Sequence, residues 1–371
     1  MAPPFDLLVR GGTCALHGAV TACDLGVTGG RVVAIGDLAG AEAERELDAR
    51  HLHVLPGVLD TGGYLRDEGG SALVLAGVTA VFDAHPHPTT AAGLEDKLSR
   101  ARGRAHCDYA FFIAAATDHL DDLDRLERLP GCSGVVLSLG SDDEPLHRAL
   151  FCGQRRVTVS CEPDPHPEPV AAGAAVDLYR DEGDAARALQ RFLNMAKRAG
   201  RRVHASNVDG DEALALLMQH RELATVGLAA ADLDLAAPTA PALWRALAGG
   251  LVDALGSGLE AAPGAPHLLL PTMLEHLHAG RLGLPQLVEL LSSGPARIYN
   301  VARKGRIALG YDADLVLVDL GAEHSHAGVR YHGWPVATVL RGELVARDGR
   351  TVAAPGGTPV RFSDTLRMVV L

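Results

Sequence analysis

Aromatic residues make up only 4% of the 371-residue chain, which is 47% hydrophobic and carries 42 glycines, so its core rests mainly on Ala, Val and Leu. That apolar fraction excludes an intrinsically disordered protein. Lysine is scarce, with three residues, and Lys+Arg (34) falls short of Asp+Glu (46), for a net charge of -12. An acidic chain repels a phosphate backbone, so nucleic acid is not an expected partner. No apolar run reaches the ~18 residues that would span a bilayer, so no membrane partner is expected either. The opening Met1–Asp6 stretch lacks the basic and apolar regions of a signal peptide. The six cysteines (Cys14, Cys23, Cys107, Cys132, Cys152, Cys161) form no CxxC pair. Dispersed thiols fit a reducing compartment, and the expected location is the cytoplasm. There is no G-x-S-x-G, Walker or Rossmann motif.

What is present alternates between two patterns. Short apolar runs punctuated by glycine occupy the first 50 residues: Phe5 to Arg10, Cys23 to Thr28 and Arg31 to Ile35. Paired glycines between such runs are hairpin chemistry. The end of the chain repeats the pattern at Ala313 to Asp319, Val336 to Arg341 and Glu343 to Arg347. Neither end alone supplies a stable sheet, so the two are expected to join in one small β-sandwich domain. Between them lie eight candidate buried strands, beginning at His53, Gly77, Tyr109, Gly134, Arg156, Arg202, Leu223 and Val252. Amphipathic segments follow most of them. Eight such units over roughly 250 residues predict a (β/α)8 TIM-type barrel. The expected division is residues 1–52 and 303–371 for the β domain and 53–302 for the barrel. Only Ser71 to Ala76 can form the helix after the first strand, and several other strand-to-helix loops are also short. Such loops build the catalytic face of a barrel, so a sparsely furnished site is expected.

Several stretches resemble dihydroorotase, of the cyclic amidohydrolase family. They are Val54-Leu55-Pro56-Gly57-Val58-Leu59-Asp60, Leu126 to Cys132, Lys304 to Leu315 (containing Gly310-Tyr311-Asp312-Ala313-Asp314) and Gly333-Trp334-Pro335-Val336. The resemblance implies a metal-dependent barrel flanked by a β domain from both termini. It also implies where the metal ligands would fall: Gly62 and Tyr64 after strand one, Val136 in strand four, Ser160 and Asn207 at strands five and six, and Gly258 at strand eight. Glycine and valine donate nothing, and Tyr, Ser and Asn are poor zinc ligands at neutral pH. No lysine stands at a strand end to be carboxylated instead. Arg66 keeps the place where the family binds a substrate carboxylate.

The expectation drawn is a non-catalytic dihydroorotase-like protein of pyrimidine biosynthesis, with no catalytic residue and no cofactor. The family resemblance suggests aspartate transcarbamoylase as its partner, and a homo-oligomer as its form. One alternative is an active, zinc-dependent cyclic amidohydrolase whose metal has moved to His85 and His87 in Asp83-Ala84-His85-Pro86-His87. Another is a non-catalytic module that binds a carboxylate at Arg66. Other histidines read as bland. His324 and His326 suggest a solvated loop, and His276 and His278 a helix surface. By strand alternation from Asn207, His204 points to the helices.

Overall fold

The computed structural model describes residues 5–65, 69–83, 87–115, 123–139, 143–161, 182–258, 267–326 and 328–365. Both ends of the chain enter one nine-stranded sheet. Phe5–Leu16, Ala19–Thr28 and Arg31–Gly36 form successive antiparallel pairs, and Ala43–Asp48 lies parallel to the first. Gly29 and Gly30, both at positive φ, make the two-residue turn into Arg31. His53–Pro56 bridges this half to the C-terminal half, pairing with Phe5–Leu16 on one side and Leu315–His326 on the other. Val329–Leu340, Glu343–Arg347 and Arg350–Thr351 complete the sheet. It folds over its own core of Leu7, Val9, Leu25, Val54, Leu315, Leu317 and Val339.

The barrel strands are Val58–Asp60, Val78–Asp83, Asp108–Ala114, Cys132–Ser138, Val157–Ser160, Val203–Ser206, Ala224–Ala229 and Val252–Gly256. They pair in sequence order, all parallel. The run His53 to Asp60, continuous in sequence, splits at Gly57 between terminal sheet and barrel. A Cβ at Gly57 would stand 2.1 Å from the Thr79 hydroxyl oxygen, so only glycine lets the strand turn from one sheet to the other there.

Alternation along each strand sorts the side chains. Phe111, Ile113, Val135, Leu137, Val157, Val159, Val203 and Val226 pack outward against the helices. Ala80, Phe82, Ala110, Phe112, Val136 and Ala254 fill the lumen with Tyr299, Val360 and Phe362. The Phe82, Phe112 and Tyr299 rings meet at centroid distances of 5.1–6.4 Å. The segment 356–362 straps the N-terminal end of the barrel: Tyr109 N donates to Thr358 O (3.1 Å) and Val360 N to Tyr109 O (2.8 Å).

A helix, Asp143–Phe151, follows the fourth strand. Its Pro145 looks like a breaker but falls in the first turn, where a missing N–H costs nothing. From Leu284 the chain runs through Leu284–Val288, a π-helical turn Glu289–Ser293, and Gly294–Ile298. Gly294 lies so close to strand eight that a Cβ would sit 2.1 Å from Asp253 O. Finally, His324 and His326 belong to a strand, not a loop. They extend the terminal hairpin, and His324 stacks on Trp334 with ring centroids 3.7 Å apart.

Candidate active site at the barrel mouth

Asp60 bridges the seam between the first and last barrel strands. Asp60, fully buried, accepts hydrogen bonds at Oδ1 from Gly62 N (3.1 Å) and Ser257 N (2.9 Å). Its Oδ2 accepts from His267 Nε2 at 2.7 Å. Ser257 Oγ donates to Gly62 O at 3.1 Å, adding a second stitch. Burial pushes the Asp60 carboxyl up, but the His267 and backbone hydrogen bonds prevail and hold it below its ordinary value. His267 stands just before the helix Leu269–His278 and is 10% exposed. Its other ring nitrogen, Nδ1, is buried and has no hydrogen-bond partner among the described residues.

The six positions implied as metal ligands come to the same face without forming a metal site. Gly62 and Gly258 belong to the seam: a Cβ at Gly62 would meet Gly258 N at 3.3 Å, and one at Gly258 would meet the Ala229 Cβ at 2.0 Å. Gly258 also has a φ of 72°. Val136 is a lumen core residue. Tyr64 and Ser160 are half-buried, and Asn207 is half-buried with a left-handed φ of 51°. Among the described residues no three His, Cys, Asp or Glu side chains gather to hold an ion. A family zinc does not fit this donor set, because two of the six places are glycines in a crowded seam and a third is apolar, so none of the three offers a donor.

The structure adds a feature the sequence reading passed over. Strands four, five and six end in Ser138, Ser160 and Ser206, and Ser160 is in register with both others. Equal register puts the three hydroxyls on one face of adjacent strands, at the rim of the lumen. Asp83, which ends strand two, is buried and accepts from Lys97 Nζ (2.9 Å) and Leu65 N (2.8 Å). No described lysine stands at a strand end, but Lys97 reaches one from its helix, Ala91–Ala101. Its ammonium also lies 4.7 Å from the Phe111 ring centroid, and burial pushes its pKa down. His87 is half-buried and presents its ring edge-on to Phe112, 6.4 Å between centroids. Arg66 and His85 lie outside the described residues, as do the strand ends at Thr117 to His119, Gly140 to Asp142, Glu162, and Leu259 to Glu260.

Two histidines differ from their reading. His204 faces the lumen, not the helices, with its ring edge-on to Tyr299 (5.7 Å, 74°) and Nδ1 2.9 Å from Thr225 Oγ1. Alternation counted back from Asn207 fails because the strand ends at Ser206 and Asn207 leaves extended geometry. Burial, aided by Arg156, pushes the His204 pKa down to about 3. His276 is buried rather than on a helix surface. It lies against Trp244 (4.7 Å), and its Nδ1 accepts from Arg281 Nη1 at 2.9 Å. In the sequence, His267 opens an apolar run, His267-Leu268-Leu269-Leu270, that gives it no distinction. Its place in the loop after strand eight, on the face where barrel loops gather, is the signal that could have singled it out.

Residues 174–345 match the model of the Amidohydrolase family. The allantoinase of Rubrobacter xylanophilus is 29% identical over an alignment of 448 positions, covering 96% of this chain and 98% of that protein. The L-hydantoinase of Paenarthrobacter aurescens is 26% identical, covering 95% and 97%. Among solved structures, the L-hydantoinase (dihydropyrimidinase) from Arthrobacter aurescens superposes with a TM-score of 0.84 at 24% identity, covering 96% and 99%. An alignment longer than the chain means gaps in it, in keeping with its short strand-to-helix loops. These relatives are named allantoinase and hydantoinase, enzymes of cyclic amide hydrolysis, rather than dihydroorotase. They overturn the expectation of a non-catalytic protein of pyrimidine biosynthesis. Residues 174–345 are thus similar in sequence to the Amidohydrolase family, and the fold over nearly the whole chain is similar to that of a solved hydantoinase.

Proposed function

We propose that the protein hydrolyses a neutral cyclic amide or ureide at the C-terminal mouth of its barrel. The observation that carries this reading is the in-register row of Ser138, Ser160 and Ser206 at the lumen rim, on a barrel similar throughout to allantoinases and hydantoinases. A hydroxyl both donates and accepts, so three on one face suit a small ring that alternates N–H and C=O groups. A row of uncharged groups also favours a neutral ring over an anionic one. Burying an anion without a paired cation is costly, and hydroxyls supply no charge. The floor beneath the rim, Val136 and Phe112, is apolar and suits the flat face of such a ring.

The reaction is tested by offering purified protein hydantoin, allantoin and 5,6-dihydrouracil and following appearance of the ring-opened carbamoyl product. Turnover of at least one ring is expected, with Ser160→Ala raising its KM. Absence of ring opening across the three at millimolar concentration would overturn the reading.

A further inference from the structure

The disagreement between this mouth and a metal site points to a different source of the attacking water. We propose that His267, oriented by Asp60, is the proton acceptor of this site and that it works without a metal ion. The inference rests on the reading of the mouth as a hydrolase site and names the group that does its chemistry.

The geometry is that of an oriented base. Asp60 is immobilised by three donors: Gly62 N, Ser257 N and His267 Nε2. With Nε2 donating to Asp60, the neutral imidazole carries its lone pair on Nδ1. That atom is buried and has no partner among the described residues, although the ring is nine-tenths covered. A buried polar atom without a partner calls for a ligand or a water. The same seam that positions Asp60 crowds the space a metal ligand would need, since a Cβ at Gly258 would lie 2.0 Å from the Ala229 Cβ and one at Gly62 3.3 Å from Gly258 N. Loss of the ligand positions and gain of the aspartate–histidine pair are therefore one structural change.

The step balances with water as sole co-reactant. His267 Nδ1 takes a proton from water as the water oxygen bonds to the ring carbonyl carbon. The Asp60 carboxylate stabilises the imidazolium through its Nε2–H. The ring C–N bond then breaks, its electron pair stays on nitrogen, and the Nδ1 proton passes to that nitrogen. The imidazole returns to its neutral form and the ring has become a carboxylic acid bearing an open amine or urea arm.

The test uses the full-length protein, assayed before and after exhaustive treatment with a zinc chelator. The stripped wild type is expected to keep its rate within twofold. His267→Ala is expected to lower kcat by about 10²–10⁴ with KM nearly unchanged, and added imidazole to restore at least tenfold of that. Asp60→Asn, a change at a positioning residue, should lower kcat without becoming imidazole-responsive. Thermal unfolding of each variant checks that it is folded. A rate that vanishes with the chelator and returns with zinc, in wild type and His267→Ala alike, would overturn the inference while leaving the hydrolase reading standing. If no ring is opened by any form, the hydrolase reading fails, and nitrogen NMR of His267 decides the inference. Protonation at Nε2 that shifts in Asp60→Asn supports the oriented base, and unchanged nitrogen shifts would overturn it.

Discussion

Burial of an ionisable side chain couples its protonation to folding, and His204 shows the coupling at the scale of one residue. Its folded pKa is pushed down to about 3 from an ordinary 6.5, chiefly by loss of hydration and secondly by Arg156, with Asp253 acting the other way. The unfolded chain therefore binds a proton that the folded one refuses. The stability of the fold is complete above pH 6.5 and declines as pH falls from there toward 3, at up to about 1.4 kcal/mol per pH unit from this group. Urea unfolding at pH 7.5, 6 and 5 should show His204→Gln losing less stability across that window than wild type. Equal losses would mean that His204 titrates freely. Residues of this kind were hard to place from the sequence. His204 and His267 have no distinguishing neighbours in the chain, and their roles come from Tyr299 and Asp60, 95 and 207 residues away.

Among the elements, the seam between the first and eighth strands carries the most consequence. It is built from loops that tolerate no side chain: Gly258 has both a positive φ and a Cβ position 2.0 Å from Ala229 Cβ. Gly258→Ala is expected to cost roughly 1–3 kcal/mol through overpacking and strain. Gly210→Ala is the control, because Gly210 shares the positive φ (89°) but has nothing within 4 Å. It should cost about 1 kcal/mol or less in chemical denaturation. Equal losses at the two glycines would show that conformation alone, and not the close approach of strands, governs the seam. The rest of the element pattern follows local rules. The eight strands, most helices and the shortness of Ser71–Leu75 were all readable from periodicity. The register of Ser138, Ser160 and Ser206 was not, since hydrophobic patterning tells which face a residue takes but not its height beside a neighbour.

At the scale of the whole molecule, a buried charge network locks the barrel to the terminal sheet. Lys304 Nζ lies 2.7 Å from Asp108 Oδ2, at the start of barrel strand three, and 2.5 Å from Asp314 Oδ2, beside the terminal strand Leu315–His326. Arg341 bonds Asp108 from the turn after Val329–Leu340, and Thr358 N donates to the same carboxylate at 2.8 Å. Burial disfavours the Lys304 charge, but Asp108, Asp314 and Asp312 outweigh it and hold the ammonium protonated beyond the usual lysine range. Lys304→Met would leave two buried carboxylates without their shared cation. A loss of about 3–5 kcal/mol in urea denaturation is expected. A loss under 1 kcal/mol would show that the sheet and barrel hold together by apolar packing instead.

Sequence alone determined the class of fold and the sharing of one sheet by both termini, because hydrophobic period and glycine punctuation are local and survive without knowledge of neighbours. It also determined that Gly62, Val136 and Gly258 offer no metal donor, which is a property of residue type. Tertiary structure alone decided what stands in place of those donors. Asp60 meets Ser257 and His267 only when the barrel closes, and the three serines share a rim only when strands four to six come into register. A site of this kind is a convergence of distant side chains on one closed surface, and a linear pattern carries the parts of that surface without their distances.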